Sequence, residues 1–201
     1  MAAVKRVAIL ISGGGSNMLR LLDGMRDGAI DAQPVLVLSN KVDAGGIAKA
    51  AARDVPTKVL PHVDYAKRED FDAALHDALI DARPDIICLA GFMRILTPGF
   101  TAKWEGRMIN IHPSLLPLFR GLHTHRRAIE AGVAVHGCTV HGVTAELDDG
   151  PIYGQATVPV TPDDTPETLA AKVLVQEHRL YPAVLSELCA DRVPRLSLGA
   201  V

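Results

Sequence analysis

Two polar side chains set two residues apart, Asn110 and His112, stand in the run NIHPSLLP at 110–117. In an extended strand alternate side chains share a face, so the pair projects together. An Asn amide offers a neutral N–H donor to a developing oxyanion, and a His gains or loses a proton near neutral pH. Together they can handle a tetrahedral intermediate. Pro113 stops the strand just beyond them, as expected at the carboxyl edge of an α/β sheet, where ligands bind. The same pair equally fits strand-end residues satisfied by neighbouring backbone.

A second group is SGGGSN at 12–17, placed between a strand and a helix. Its glycines let the backbone turn tightly, and the N–H groups that open a helix bind an anion without a basic side chain. A phosphate is the natural guest. Gly13 and Gly15 match a dinucleotide fingerprint, but Met18 stands at its third glycine and no acid follows Ser39, Asn40 and Lys41 at the tip of the second strand. A plain Gly-rich turn is the alternative. A third group, ELDDGP at 146–151, puts three acids in a Gly/Pro-bounded loop. A carboxylate near His112 would hold the ring and raise its pKa; otherwise the loop is solvated surface.

These groups need a scaffold, and short β-branched runs alternate with stretches of helical period as in an α/β sheet. Strands are expected at 4–12, 34–40, 55–60 and 85–91, with helices from the Gly-rich loop (Met18, Leu22 and Met25 on one face), at 44–54, and at 69–82 (Phe71, Leu75 and Leu79). From Arg107 the pattern changes: strands at 107–111, 135–144 and 152–160 carry fewer helices between them, so antiparallel pairing is expected there. A long final helix opens with Thr165 as cap and Pro166 in its first turn, and Leu169, Val173, Leu180, Val184 and Leu188 recur at helical period. The fold class is α/β, a mostly parallel twisted sheet with helices on both faces and antiparallel strands in the C-terminal half. No linker interrupts it, so 1–201 reads as one domain with a phosphate-binding half over about 1–100 and a folate-binding and catalytic half over about 101–201.

Composition narrows the function. The 201 residues are 48% hydrophobic with a net charge of -2, which suits a soluble domain with a sizeable core and does not call for a polyanionic partner, since a protein that reads nucleic-acid phosphates is normally basic. No apolar run approaches a membrane span or a signal-peptide core. Cys88, Cys138 and Cys189 are odd in number and set in apolar surroundings, as buried thiols of a reducing, cytoplasmic compartment are.

The order and spacing of ISGGGSN (11–17), SNK (39–41), LAGFMRIL (89–96), NIHPSLLP, GLHTHRRA (121–128), ELDDGP and QEHRLYP (176–182) closely resemble the glycinamide ribonucleotide formyltransferases, folate-dependent enzymes of purine biosynthesis. The wider superfamily shares the Asn, His and Asp elements. The length leads us to expect neither the further C-terminal domain of methionyl-tRNA formyltransferases nor the N-terminal regulatory domain of formyltetrahydrofolate deformylases. The resemblance implies a Rossmann-like formyltransferase fold in which Gly15, Ser16 and Asn17 hold the substrate phosphate and Glu177 the ribose hydroxyls. It implies that Phe92, Met93, Arg94, Ile95 and Leu96, with Asn110, form the folate pocket, that Arg68 faces the folate's carboxylate tail, and that Asn110, His112 and Asp148 are catalytic. The co-substrate implied is 10-formyltetrahydrofolate, with no metal, no nucleic acid and no membrane; a homodimer is the assembly allowed for. Arg120 departs from the family's usual Pro, and the expectation is that it caps a turn outside the site.

The expected chemistry is attack of the substrate's primary amine on the formyl carbon, with Asn110 and protonated His112 stabilising the oxyanion and Asp148 supporting the imidazolium. Ser114 and Cys138 have no nucleophilic part. The rivals are a nicotinamide oxidoreductase, a zinc hydrolase using His123, His125, His136 and His141, a binding module without turnover, and, within the family, hydrolysis of 10-formyltetrahydrofolate. His62, His76, His178 and Trp104 read as structural.

Overall fold

The structure, a computed structural model, describes residues 4–199. Its elements run β1 (Lys5–Ile11), α1 (Ser16–Arg26), β2 (Ala32–Ser39), α2 (Gly46–Ala51), β3 (Thr57–Val59), a 3-10 turn (His62–Asp64), α3 (Arg68–Ala82), β4 (Ile86–Leu89), α4 (Pro98–Lys103), β5 (Met108–His112), α5 (Thr124–Glu130), β6 (Val135–Gly142), β7 (Ile152–Pro159), α6 (Pro166–Cys189) and β8 (Leu196–Leu198). The strands are hydrogen-bonded in the order β3-β2-β1-β4-β5-β6-β7-β8. The chain divides into two compact units, Met1–Ile109 and Asn110–Val201.

In the first unit β1 lies between β2 and β4, parallel to both, and β3 extends the sheet in parallel beyond β2. Residues Val7, Ala8, Ile9, Leu10 and Ile11 have no exposed surface at all. A strand can bury consecutive residues only if both sheet faces are covered, which is why this stretch is continuously apolar rather than alternating. α1 supplies Met18, Leu21, Leu22 and Met25 to the core, and α3 supplies Phe71, Leu75 and Leu79. α4 opens where the Thr97 hydroxyl accepts from Phe100 N–H, with Pro98 in the first turn.

In the second unit β6 and β7 pair antiparallel, with Cys138 opposite Ala156, while β8 returns parallel to β7. The antiparallel pairing expected in this half is therefore present between these two strands. α6 begins with a capping box: Thr165 accepts from Thr168 N–H, and the Thr168 hydroxyl accepts from Thr165 N–H. Its Leu169, Val173, Leu180, Val184 and Leu185 are buried.

Four elements lie outside the sequence expectation: the 3-10 turn, α4, α5 and β8. Each is short, and none carries an apolar stripe. α5 buries only Thr124 and Ala128, and α4 contains the Pro-Gly pair that reads as a turn. α2 is shorter than the expected 44–54. All three cysteines are buried thiols. Trp104 is buried, donating its indole N–H to His76 Nδ1 at 3.2 Å beneath the Arg107 guanidinium.

Candidate active site

The Gly-rich loop leaves β1 at Ser12 and enters α1 through Gly15, whose φ of 70° is left-handed. A Cβ at Gly15 would lie 3.2 Å from the Gly46 backbone and 2.9 Å from Met18 Cε, so glycine is required here for both conformation and space. No side chain caps α1, and uncapped N–H groups at a helix start are the kind that bind anions. Ser16 is exposed and Asn17 buried. Gly46 N–H donates to Gly13 O at 3.0 Å, bringing the start of α2 against the loop, and Lys49 Nζ donates to Gly14 O at 2.9 Å. This ammonium beside the loop was not read from the sequence, where nothing links 14 to 49.

Ser12 joins the loop to the segment 92–96. Its N–H donates to Gly91 O, its hydroxyl donates to Asn40 Oδ1, and the same hydroxyl accepts Met93 N–H at 2.7 Å. The far end of the segment is fixed by Thr97 N–H, which donates at 2.7 Å to the buried Asp72 carboxylate. Between these anchors Leu96 is buried, Phe92 and Arg94 are half-buried, and Met93 and Ile95 are exposed. The Arg94 guanidinium stacks 4.4 Å above the Phe71 ring, and its buried Nε has no partner among the described residues. Arg68 is exposed at the first position of α3.

In the second unit, β5 delivers Asn110 and His112 to one constellation with Asp148. Asn110 Nδ2 lies 3.2 Å from His141 Nε2, and His141 Nδ1 lies 2.8 Å from Gly142 O. A carbonyl only accepts, so Nδ1 carries the His141 proton and Nε2 accepts one of the Asn110 amide hydrogens. Burial holds His141 below the usual imidazole pKa, against the opposing influence of the Gly142 carbonyl and Asp148, which keeps that tautomer neutral. The amide of Asn110 is thereby oriented, with its second N–H left over.

His112 is treated in the same way. Its Nε2 is 3.1 Å from Phe119 O and therefore donates to it, while Nδ1 faces Asp148 Oδ2 at 3.5 Å. Both side chains are 7% exposed, so solvent does little to weaken the interaction between them. Gly121 N–H donates to the same Asp148 oxygen at 2.9 Å. Phe119 and Asp148 both have left-handed backbone, with φ of 55° and 52°, at a cost of about 1–2 kcal/mol each that the surrounding contacts must offset. An amide donor, an imidazole and a buried carboxylate are thus brought together, a set of groups whose chemistry suits oxyanion stabilisation and proton transfer.

Of the three acids in the 146–151 loop only Asp148 is buried; Glu146 and Asp149 are exposed, and Asp149 pairs with Arg120. Glu177 is buried on α6, and burial together with its charge pushes the Cys138 thiol pKa up, which leaves Cys138 a poor nucleophile. Ser114 is buried and donates to Leu118 O at 2.6 Å. His125 and His136 meet edge to face at 5.5 Å, and among the described residues no group of three or more His, Cys, Asp or Glu is arranged to hold a metal. The parts the sequence reading missed are mostly backbone: Phe119 O and Gly121 N–H. His141 entered that reading only as a candidate metal ligand.

Residues 5–185 match the formyl transferase family. The chain is 43% identical over 190 residues to the phosphoribosylglycinamide formyltransferase of Haemophilus influenzae, an alignment covering 94% of this chain and 90% of the relative. It is 48% identical over 195 residues to the trifunctional purine biosynthetic protein adenosine-3 of Drosophila pseudoobscura pseudoobscura, where 96% of this chain spans 14% of that longer relative. The crystal structure of phosphoribosylglycinamide formyltransferase from Brucella melitensis superposes with a TM-score of 0.89 at 53% identity, covering 94% of this chain and 97% of that one. The chain belongs to the formyl transferase family, among its phosphoribosylglycinamide formyltransferases.

Proposed function

We propose that the protein transfers the formyl group of 10-formyltetrahydrofolate to the primary amine of glycinamide ribonucleotide, giving formylglycinamide ribonucleotide and tetrahydrofolate in purine biosynthesis. The observation that carries this reading is the buried cluster of Asn110, His112 and Asp148, with the Asp148 carboxylate 3.5 Å from His112 Nδ1. Binding alone has no use for a buried carboxylate aimed at an imidazole; proton transfer does.

Asn110 donates the N–H not given to His141 to the oxyanion that develops on the formyl oxygen, and the positive charge of protonated His112 nearby stabilises it. Asp148 holds the imidazolium and, with water, helps carry a proton from the attacking amine to the departing N10. The new amide C–N bond forms as the C–N10 bond breaks. The amine is itself the nucleophile, so neither Ser114 nor Cys138 is called on.

Gly15, Ser16 and Asn17 bind the ribonucleotide phosphate through the open end of α1, with the Lys49 ammonium beside them, and Glu177 takes the ribose hydroxyls. The folate lies against Phe92, Met93, Arg94, Ile95 and Leu96. Arg68, exposed at the start of α3, takes the folate's carboxylate tail in this reading. Among the described residues no helix is long and apolar enough to cross a membrane, and three buried thiols suit a reducing cytoplasm.

The test is a formyl-transfer assay with 10-formyltetrahydrofolate, run with and without glycinamide ribonucleotide. Turnover that requires the amine supports transfer; equal formyl release without it replaces the reading with folate hydrolysis.

A further inference from the structure

Arg120 stands between two residues that each hold one member of the His112–Asp148 pair. On one side Phe119 O accepts from His112 Nε2 at 3.1 Å; on the other Gly121 N–H donates to Asp148 Oδ2 at 2.9 Å. The Arg120 guanidinium itself pairs with Asp149, the next residue after Asp148. Two adjacent links therefore join 120–121 to 148–149. A second arginine braces the strap from α5: Arg127 Nη1 donates to Arg120 O at 2.5 Å, and its guanidinium lies 5.7 Å from the Phe119 ring centre. Both loops carry a left-handed residue, Phe119 and Asp148, and at Phe119 the bulky side chain would not maintain that conformation by itself.

We propose that Arg120 is a positioning residue for formyl transfer: its ion pair with Asp149 clips residues 119–121 onto the 148–149 loop and so holds His112 and Asp148 in register. The inference rests on the catalytic reading of that pair above. It replaces the expectation that Arg120 only caps a turn outside the site.

The Arg120 and Asp149 side chains are 43% and 44% exposed. A pair so wet contributes little to global stability. Its effect is on geometry, and small misplacements of reacting groups are costly to rate. Rate and stability should therefore separate. A residue that merely stabilised the loop would move the two together.

The experiment measures kcat, both KM values and Tm for the wild type, Arg120→Ala, Asp149→Ala, the Arg120→Ala/Asp149→Ala double variant and Arg120→Lys, each at low and high salt. In the single Ala variants kcat should fall about tenfold, short of the roughly hundredfold cost of a 1 Å misplacement. Both KM values should stay within about twofold, and Tm should hold. The double variant should be no slower than the singles, since both remove one interaction. Arg120→Lys should recover part of the rate, and added salt should slow the wild type but not Arg120→Ala. A wild type without amine-dependent turnover overturns the catalytic reading and this inference with it. An active wild type beside an Arg120→Ala variant of unchanged kcat, or a double variant as slow as the product of the singles, overturns this inference alone. So does a fall in kcat that tracks a fall in Tm.

Discussion

The Ser12 hydroxyl accepts the Met93 backbone N–H at 2.7 Å while donating to Asn40 Oδ1, so one small side chain ties the anion loop to the proposed folate wall. Ser12→Ala removes both bonds and leaves a buried acceptor and a backbone donor unsatisfied, at a cost of about 1–3 kcal/mol. Because the tie serves two binding segments, KM for both substrates should rise together, with Tm several degrees lower. A rise confined to one substrate would show that the loop and the wall are positioned independently.

Much of this was legible in the sequence, and what was not has a physical reason. Asn110 and His112 share a strand, so their alternation fixed a common face. The apolar run in β1 announced a strand covered on both sides. Asp148 could be drawn to His112 only by resemblance, because 35 residues of loop, helix and strand intervene and no local rule brings them together. The contacts of Phe119 O and Gly121 N–H were invisible because every residue has a backbone. The short helices α4 and α5 escaped because helical period needs several turns to show.

Asp148 separates charge from shape. Asp148→Asn keeps a side chain that tolerates left-handed backbone and an oxygen able to accept Gly121 N–H, but removes the charge facing His112. We expect kcat to fall about a hundredfold or more, as for loss of acid–base catalysis, with Tm near the wild type. Asp148→Val should in addition lose stability, because a β-branched residue resists the left-handed conformation. Near-normal turnover in Asp148→Asn would move the acid–base role to another group.

The two flanks of the anion loop should respond differently to the same small change. Gly13→Ala meets nothing within 4 Å, whereas at Gly15 the added methyl faces Gly46 backbone at 3.2 Å with φ at 70°. Thermal unfolding should find Gly13→Ala near the wild type and Gly15→Ala destabilised by at least about 1 kcal/mol. Equal stabilities would mean that the loop relaxes around Gly15. Ser16→Ala is then the cleaner probe of the ribonucleotide, since it spares the fold.

Mild acid should destabilise the protein before its ordinary carboxylates titrate. Burial lowers the His136 pKa to about 4, helped by the neighbouring His125 and His112 and opposed by the Pro113 carbonyl. His125 and His141 are shifted the same way, again chiefly by burial. In the unfolded chain each titrates near 6.5, so below that pH the unfolded state binds protons that the folded state refuses. Stability is therefore full above about pH 6.5 and falls as pH drops toward 4, by at most about 1.4 kcal/mol per pH unit for each histidine. Tm measured at intervals from pH 7.5 to 4.5 should show this slope. In His136→Phe, which keeps an aromatic ring against Phe119 and His125 but cannot titrate, the slope should be shallower. An unchanged slope in His136→Phe would mean that His136 gains its proton in the folded protein as readily as in the unfolded one, contrary to its burial.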